Sequence, residues 1–410
     1  MQRLGGRSPL WNRGEAEPRE AGGCFGREEN PPVSLREPSP LPCRGDITPT
    51  NQEKEMIKLL IVDDSALMRR HLTNLFQAEG DFLLYQARNG QEAVAANRDF
   101  QPDVVTLDIN MPEMDGITAL SLIMAERPVP VVMVSSLTEK GALSTFEALN
   151  LGAVDYVTKP GGTISLNIQE ISRELVTKVR GAARARLKVN TVKGLAQRLR
   201  EEREKTPPPR PAAVRRGAVG EGLVLIGVST GGPRTLEDIL PYLPPEFPWP
   251  ILVAQHMPPA FTRPFAERMN GLCHLEVAEA SQPMPVEPGR VYIGKGGADM
   301  VLGQRNGKLT VLAKPENGAF MWHPSVELMG RSALEFCDPA RVVAVMLTGM
   351  GYDGADAFAE IKKRGGRTIA ESEASAVVFG MPAELIKRGG ATLVLSAEKI
   401  AGQLNAWAGC

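Results

Sequence analysis

The chain has 410 residues, 43% of them hydrophobic, and 47 Lys and Arg against 48 Asp and Glu leave a net charge of −1. That length fits two or three domains at roughly 150 residues each, and near-neutrality removes the bulk positive charge of a general nucleic-acid binder. No apolar run approaches the roughly 18 residues of a membrane span, and the polar, Pro-rich start lacks the apolar core of a secretory leader. Five cysteines, at 24, 43, 273, 337 and 410, form no C-x-x-C pair, so a zinc ribbon or redox dithiol is not expected. A cytoplasmic protein without membrane insertion is the expectation. Histidine chemistry has only His71, His256, His274 and His323 to draw on.

Residues 1–55 scatter eight prolines among charges without hydrophobic period, the composition of a disordered extension. Met56 opens the first dense apolar run, so two readings stand side by side: the native chain starts at or near Met56, or the preceding segment is a genuine unstructured tail. From 56 to 180 short apolar runs (Ile57–Val62, Phe82–Tyr85, Val104–Leu107, Val129–Val134, Val154–Val157) read as buried strands. Helical patterns at Ala66–Ala78, Ile117–Ala125 and Gly141–Leu149 lie between them. This alternation predicts a parallel sheet with helices on both faces. Residues 181–221 are a basic linker: eleven Lys and Arg face three Glu over 181–218, ending in Thr206-Pro207-Pro208-Pro209-Arg210-Pro211. No aromatic residue interleaves those charges, so base stacking has no platform and no nucleic-acid partner is expected. The alternation resumes over 222–408, with strands at Leu223–Val228, Ile251–Ala254, Val342–Leu347 and Thr392–Leu395. Helices are expected at Arg234–Leu240, Pro264–Met269, Val326–Glu335 and Ala355–Lys363.

Ligands of an open parallel sheet collect at the carboxyl ends of its strands. Asp63 and Asp64 follow the first strand and Asp108 closes the third. Carboxylates gathered there repel one another unless a hard cation lies between them, and Mg²⁺ is the natural occupant. Ser135 ends the fourth strand and Lys159-Pro160 follows the fifth. Together they suit transfer of a phosphoryl group to a carboxylate. The ordered set Asp63-Asp64, Asp108-x-x-Met111-Pro112-x-Met114-Asp115-Gly116, Ser135-Ser136 and Tyr156-Val157-Thr158-Lys159-Pro160 closely resembles the receiver domain of bacterial response regulators, over roughly 57–180. The resemblance implies a flavodoxin-like domain of five parallel strands. In it Asp108 accepts phosphate from a histidine kinase, Asp63 and Asp64 hold Mg²⁺ with it, and Ser135, Tyr156 and Lys159 sense the phosphoryl group.

In the second domain Gly227-Val228-Ser229-Thr230-Gly231-Gly232-Pro233 joins a strand to a helix. Gly-x-Ser-x-Gly at such a turn exposes a serine hydroxyl over the sheet. A glycine-rich phosphate cradle has the same outline, and the turn alone leaves both readings open. A nucleophilic serine needs a base and an orienting carboxylate. His256 ends the next strand, and Asp353 lies in the Gly-rich turn after Val342–Leu347. The order Ser, His, Asp departs from the Ser, Asp, His of lipase-type hydrolases.

Ile226–Pro233, Gln255-His256-Met257-Pro258, Phe261-Thr262, Leu347–Gly354 and Gly380-Met381-Pro382 resemble the catalytic domain of chemotaxis protein-glutamate methylesterases (CheB), over about 222–408. The resemblance implies a doubly wound, mostly parallel α/β catalytic domain with no cofactor. It makes Ser229 the nucleophile, His256 the base and acid and Asp353 its orienter, with Thr230 and Met350 near the oxyanion. It further implies a phosphorylation-activated enzyme that demethylates, and deamidates, methyl-accepting chemoreceptors. Trp322-His323-Pro324-Ser325-Val326-Glu327 stands where the family tends to read His-Arg-Pro-Ser-Val-Asp, and Glu371 where glutamine is usual. A regulator whose second domain merely binds a nucleotide or a partner is the rival reading; tight nucleotide binding with an inert Ser229 would favour it.

Overall fold

A computed structural model describes residues 56–135, 138–159, 168–187 and 222–410. The expected extension at 1–55, most of the linker expected over 181–221, Ser136 and Pro160 lie outside the described residues. Glu53–Cys410 forms one compact unit that contains both α/β domains.

The first domain runs β1 (Ile57–Val62), α1 (Ala66–Glu79), β2 (Phe82–Ala87), α2 (Gly90–Asp99), β3 (Val104–Asp108), α3 (Gly116–Glu126), β4 (Val131–Ser135), α4 (Glu139–Leu151), β5 (Asp155–Thr158) and α5 (Ile168–Ala183). Its five strands are parallel in the order β2-β1-β3-β4-β5. Every residue of β3 and β4 is buried, as expected of strands covered on both faces. Helix starts are set by side chains that accept from orphan N–H groups: Ser65 from Met68, Asn89 from Glu92, Asp115 from Thr118 and Thr138 from Gly141. Two helices, α2 and α5, were not among the expected patterns, and α5 runs to Ala183, past the expected domain end at 180.

The second domain comprises β6 (Leu223–Val228), α6 (Gly232–Glu237), β7 (Ile251–Gln255), α7 (Pro259–Leu272), β8 (Glu276–Ala280), β9 (Met284–Pro285), β10 (Arg290–Gly294), β11 (Ala298–Arg305), β12 (Lys308–Pro315), α8 (Val326–Phe336), β13 (Val342–Met346), α9 (Ala355–Lys363), β14 (Arg367–Glu371), α10 (Met381–Lys387), β15 (Leu393–Leu395) and α11 (Ala397–Ala408). Seven parallel strands follow the order β15-β14-β13-β6-β7-β10-β8. The chain leaves β6 toward β7 and later returns to β13 on its other side, so the winding reverses at β6 and ligands are favoured at its carboxyl end. Val224, Ile226 and Val228 enter one apolar core and Leu223 and Leu225 the other, because successive side chains of a strand point to opposite faces. An antiparallel sheet, β11-β12-β9, stands apart.

The first of these cores does not stop at the domain boundary. It includes Leu107, Phe146 and Tyr156 of the first domain with Ile226, Phe261 and Phe265 of the second. Phe146 meets Phe261 edge-on at 6.2 Å, and Tyr156 stacks on Phe261 at 4.6 Å.

Candidate active site and phosphoacceptor pocket

At the carboxyl edge of the first sheet, Asp63, Asp64 and Asp108 each bring one oxygen to within 4.8 Å of the others. Asp63 and Asp108 are buried, whereas Asp64 is exposed. Lys159 Nζ donates to Asp108 Oδ2 at 2.7 Å and pairs with Asp63 Oδ2 at 2.9 Å. Burial holds the Asp108 carboxyl above its ordinary range, against the opposing pull of Lys159. Burial alone would depress Lys159, but its two carboxylate partners raise it above the usual lysine value. Three oxygen donors with too little positive charge among them fit a hard divalent cation. Gly116 is required here, since a Cβ on it would lie 2.0 Å from the Asp108 carbonyl oxygen.

Neither Ser135 nor Tyr156 has a hydrogen bond to these carboxylates. The Ser135 hydroxyl donates to Gly141 O at 3.3 Å. Tyr156 is buried against Phe261 with its hydroxyl unpartnered, and burial pushes its phenol well above the ordinary value. The preceding residue joins the domains: Asp155 Oδ2 accepts from Thr230 Oγ1 at 2.6 Å. Lys178 supports that carboxylate at 3.3 Å and donates to Tyr156 O at 2.8 Å. Met350 packs against α5 at Gly181, where a Cβ would lie 2.0 Å from its sulfur.

Ser229, His256 and Asp353 follow three neighbouring strands, β6, β7 and β13, at the reversal point. Backbone bonds hold these ends in register: His256 N–H donates to Val228 O at 3.2 Å, and Ser229 N–H to Thr348 O at 2.9 Å. His256 Nε2 meets Asp353 Oδ2 at 2.9 Å. That carboxylate also accepts from Val326 N (2.7 Å), Glu327 N (3.0 Å) and Ser325 Oγ (3.1 Å). Two of these donors are the first N–H groups of α8, the positive end of a helix. Burial alone would raise Asp353, but the His256 contact and the two backbone donors outweigh it and hold its carboxyl below the ordinary range. An ionised Asp353 requires a proton on Nε2, which leaves Nδ1 as the basic nitrogen. Nδ1 is buried with no hydrogen-bond partner, so the Ser229 hydroxyl has not closed onto it. Catalytic bonds of unliganded sites are commonly open in this way.

The turn glycines answer to close packing. A Cβ on Gly231, whose φ is +78°, would lie 2.6 Å from Val377 Cβ, and one on Gly232 1.9 Å from Gln255 Oε1. Gln255, quoted within a motif but given no role of its own, donates to the carbonyls of Ser229 and His256, both at 3.0 Å. Its only signal in the sequence is a polar residue at the buried end of an apolar strand. Glu327 reaches past its own helix to accept from Ala357 N at 2.9 Å and so caps α9. Glu371 accepts from Thr348 N (2.8 Å) and Ser375 Oγ (2.9 Å), and Thr348 Oγ1 donates to Thr230 O at 2.8 Å. His323 Nδ1 meets buried Asp299 at 2.8 Å. Cys273 is buried and its thiol pushed up to about 12 by that burial, which leaves it un-ionised and inert.

An acidic phosphoacceptor-type pocket joined to a parallel α/β domain with a serine, a histidine and an aspartate at its central strand ends is the build of a response regulator with a hydrolase-type output. A CheB methylesterase family model matches residues 224–404, and a response regulator receiver domain model matches 59–168. The Rhodospirillum rubrum "Protein-glutamate methylesterase/protein-glutamine glutaminase 3" is 57% identical over 358 residues, 86% of this chain and 96% of that protein. Its counterpart from Caldanaerobacter subterraneus is 47% identical over 350 residues, 85% of this chain and 95% of that one. The crystal structure of the Thermotoga maritima CheB methylesterase catalytic domain is 41% identical and covers 46% of this chain and 100% of its own, with a TM-score of 0.44. On the strength of these full-length relatives, the chain belongs to the CheB protein-glutamate methylesterase family. Among the described residues no helix is long and apolar enough to cross a membrane.

Proposed function

We propose that this protein removes methyl esters from glutamyl side chains of methyl-accepting chemoreceptors, deamidates receptor glutamines at the same site, and works in the cytoplasm under control of a histidine kinase. The observation that carries the reading is the clamped Asp353–His256 pair with Nδ1 left unpartnered beside the Ser229 turn. Nδ1 takes the Ser229 hydroxyl proton as Oγ attacks the ester carbonyl carbon. The imidazolium then returns that proton to the departing methoxide, and methanol leaves. A water deprotonated at Nδ1 attacks the acyl-serine, and the products are a glutamate carboxylate and the free serine. Asp353 keeps Nε2 protonated and opposes the positive charge that develops on the ring. The N–H of Ser229 is committed to Thr348 O, so donors for the oxyanion come from the neighbouring turns, where Thr230 and Met350 lie.

In the receiver, Asp63, Asp64 and Asp108 would hold Mg²⁺, which supplies neutralising charge for phosphoryl transfer. Asp108 accepts the phosphoryl group, Lys159 holds its oxygens, and Ser135 and Tyr156 respond to it. That response acts on the seam where Asp155 holds Thr230 and Tyr156 lies against Phe261, a two-state packing that phosphorylation biases. The test is methanol release from methylated receptor membranes with and without a small phosphodonor. Release should require Ser229 and rise with phosphodonor, and Asp108→Asn should remove the rise. Release by Ser229→Ala equal to native would refute the assignment.

A further inference from the structure

We propose that Trp322 is a positioning residue for the catalytic imidazole; the proposal rests on the hydrolase reading above. Its indole lies parallel to the His256 ring, with centroids 6.0 Å apart and planes 7° from coplanar. One hydrogen bond, donated to Asp353, fixes Nε2 but leaves the ring free to tilt about that bond. A parallel aromatic face removes the tilt and keeps Nδ1 turned toward the Ser229 side.

The indole is itself braced. Tyr352 meets it edge-on, at 5.3 Å and 88°. Gly351, with φ +82°, offers it a bare Cα, and a Cβ there would lie 2.7 Å from Trp322 Cζ2. The next residue is anchored too, because His323 Nδ1 and Ser325 N–H both bond the buried Asp299 carboxylate, at 2.8 and 2.9 Å. One turn therefore supplies the glycine behind the indole, the tyrosine edge against it and the carboxylate that holds the imidazole. When the imidazole takes the serine proton, its positive charge develops against the electron-rich indole face, an attraction that is stronger where water is excluded.

The test uses the full chain, activated with phosphodonor. It compares the rate of Ser229 labelling by a fluorophosphonate with kcat and KM for methanol release. Trp322→Leu should label about tenfold more slowly and lose a similar factor in kcat, with KM held within about twofold. Trp322→Phe should recover most of both rates. Trp322→Met, a flexible side chain without a π face, gives a second non-aromatic replacement and should behave as Leu does. Native-like labelling in the Leu and Met variants would overturn the proposal, and a raised KM alongside it would make the indole a wall of the substrate groove. If native protein is not labelled at Ser229 at all, the hydrolase reading itself fails, which is a separate result.

Discussion

Asp353 shows how much one residue owes to its surroundings: four donors hold its carboxylate in a buried position. Asp353→Asn would place an amide N–H against the Val326 or Glu327 N–H, or stabilise the other imidazole tautomer. The expected loss in kcat is on the order of 10³- to 10⁴-fold. Because its folded pKa lies below the ordinary 3.8, the ionised carboxylate contributes stability above that value and loses it as pH falls through the depressed one. The stability gap between native and Asp353→Asn in urea unfolding should therefore be full at pH 6, begin to narrow near the ordinary 3.8 and close only as pH falls through the lower folded value. Glu371 behaves differently. Its carboxylate accepts from Thr348 N–H and the rotatable Ser375 hydroxyl, and glutamine keeps one acceptor and offers its amide to the hydroxyl. Glu371→Gln should stay active, with stability within about 1 kcal/mol of native.

Among the elements, α8 links stability to chemistry. Ser325 accepts from Leu328 N at 3.3 Å while donating to Asp353, so one hydroxyl caps the helix and steadies the carboxylate proposed to orient His256. Ser325→Ala should cost about 1 kcal/mol in chemical denaturation and also lower kcat, whereas a helix cap alone would leave turnover untouched. Helices with a sequence cap and an apolar stripe, such as α1, α3 and α8, were legible within a few residues. The β11-β12-β9 sheet was not, because its apolar runs, Met300-Val301-Leu302 and Val311-Leu312-Ala313, are short and are interrupted by Gly303 and by charged strand ends. Helix α7 also starts five residues before its expected first residue, Pro264, which sits inside the helix.

For the whole molecule, the proposed regulation makes the seam between domains the quantity to test. Asp155→Ala removes the charge-assisted bond to Thr230, and basal methanol release without phosphodonor should rise about five- to tenfold, as loss of roughly 1–1.5 kcal/mol of docking implies. An unchanged basal rate with the domains shown to be undocked would argue against this contact as the brake. The raised pKa of Asp108 has the opposite sign from that of Asp353: its contribution to stability is full below the ordinary 3.8 and is lost as pH rises through the folded value. A divalent cation should restore it at neutral pH, by about 2.7 kcal/mol at a hundredfold excess over Kd. Mg²⁺ should accordingly raise the receiver melting temperature, Asp108→Asn should blunt that rise, and chelation should remove phosphodonor stimulation while sparing basal turnover.

Sequence alone brought the candidate residues of each domain to one sheet edge, for a topological reason. In a parallel α/β sheet every strand delivers its last residue to one edge, so Asp63, Asp108 and Lys159, and likewise Ser229, His256 and Asp353, can be placed together once the strands are read. It could not say which imidazole nitrogen is bound, what Ser135 and Tyr156 contact, or what holds Thr230. Those answers lie in side-chain contacts between positions far apart in the chain, 97 residues for His256 and Asp353 and 75 for Asp155 and Thr230. No local pattern encodes such a contact; only the packed tertiary structure, which fixes each rotamer against its neighbours, decides it.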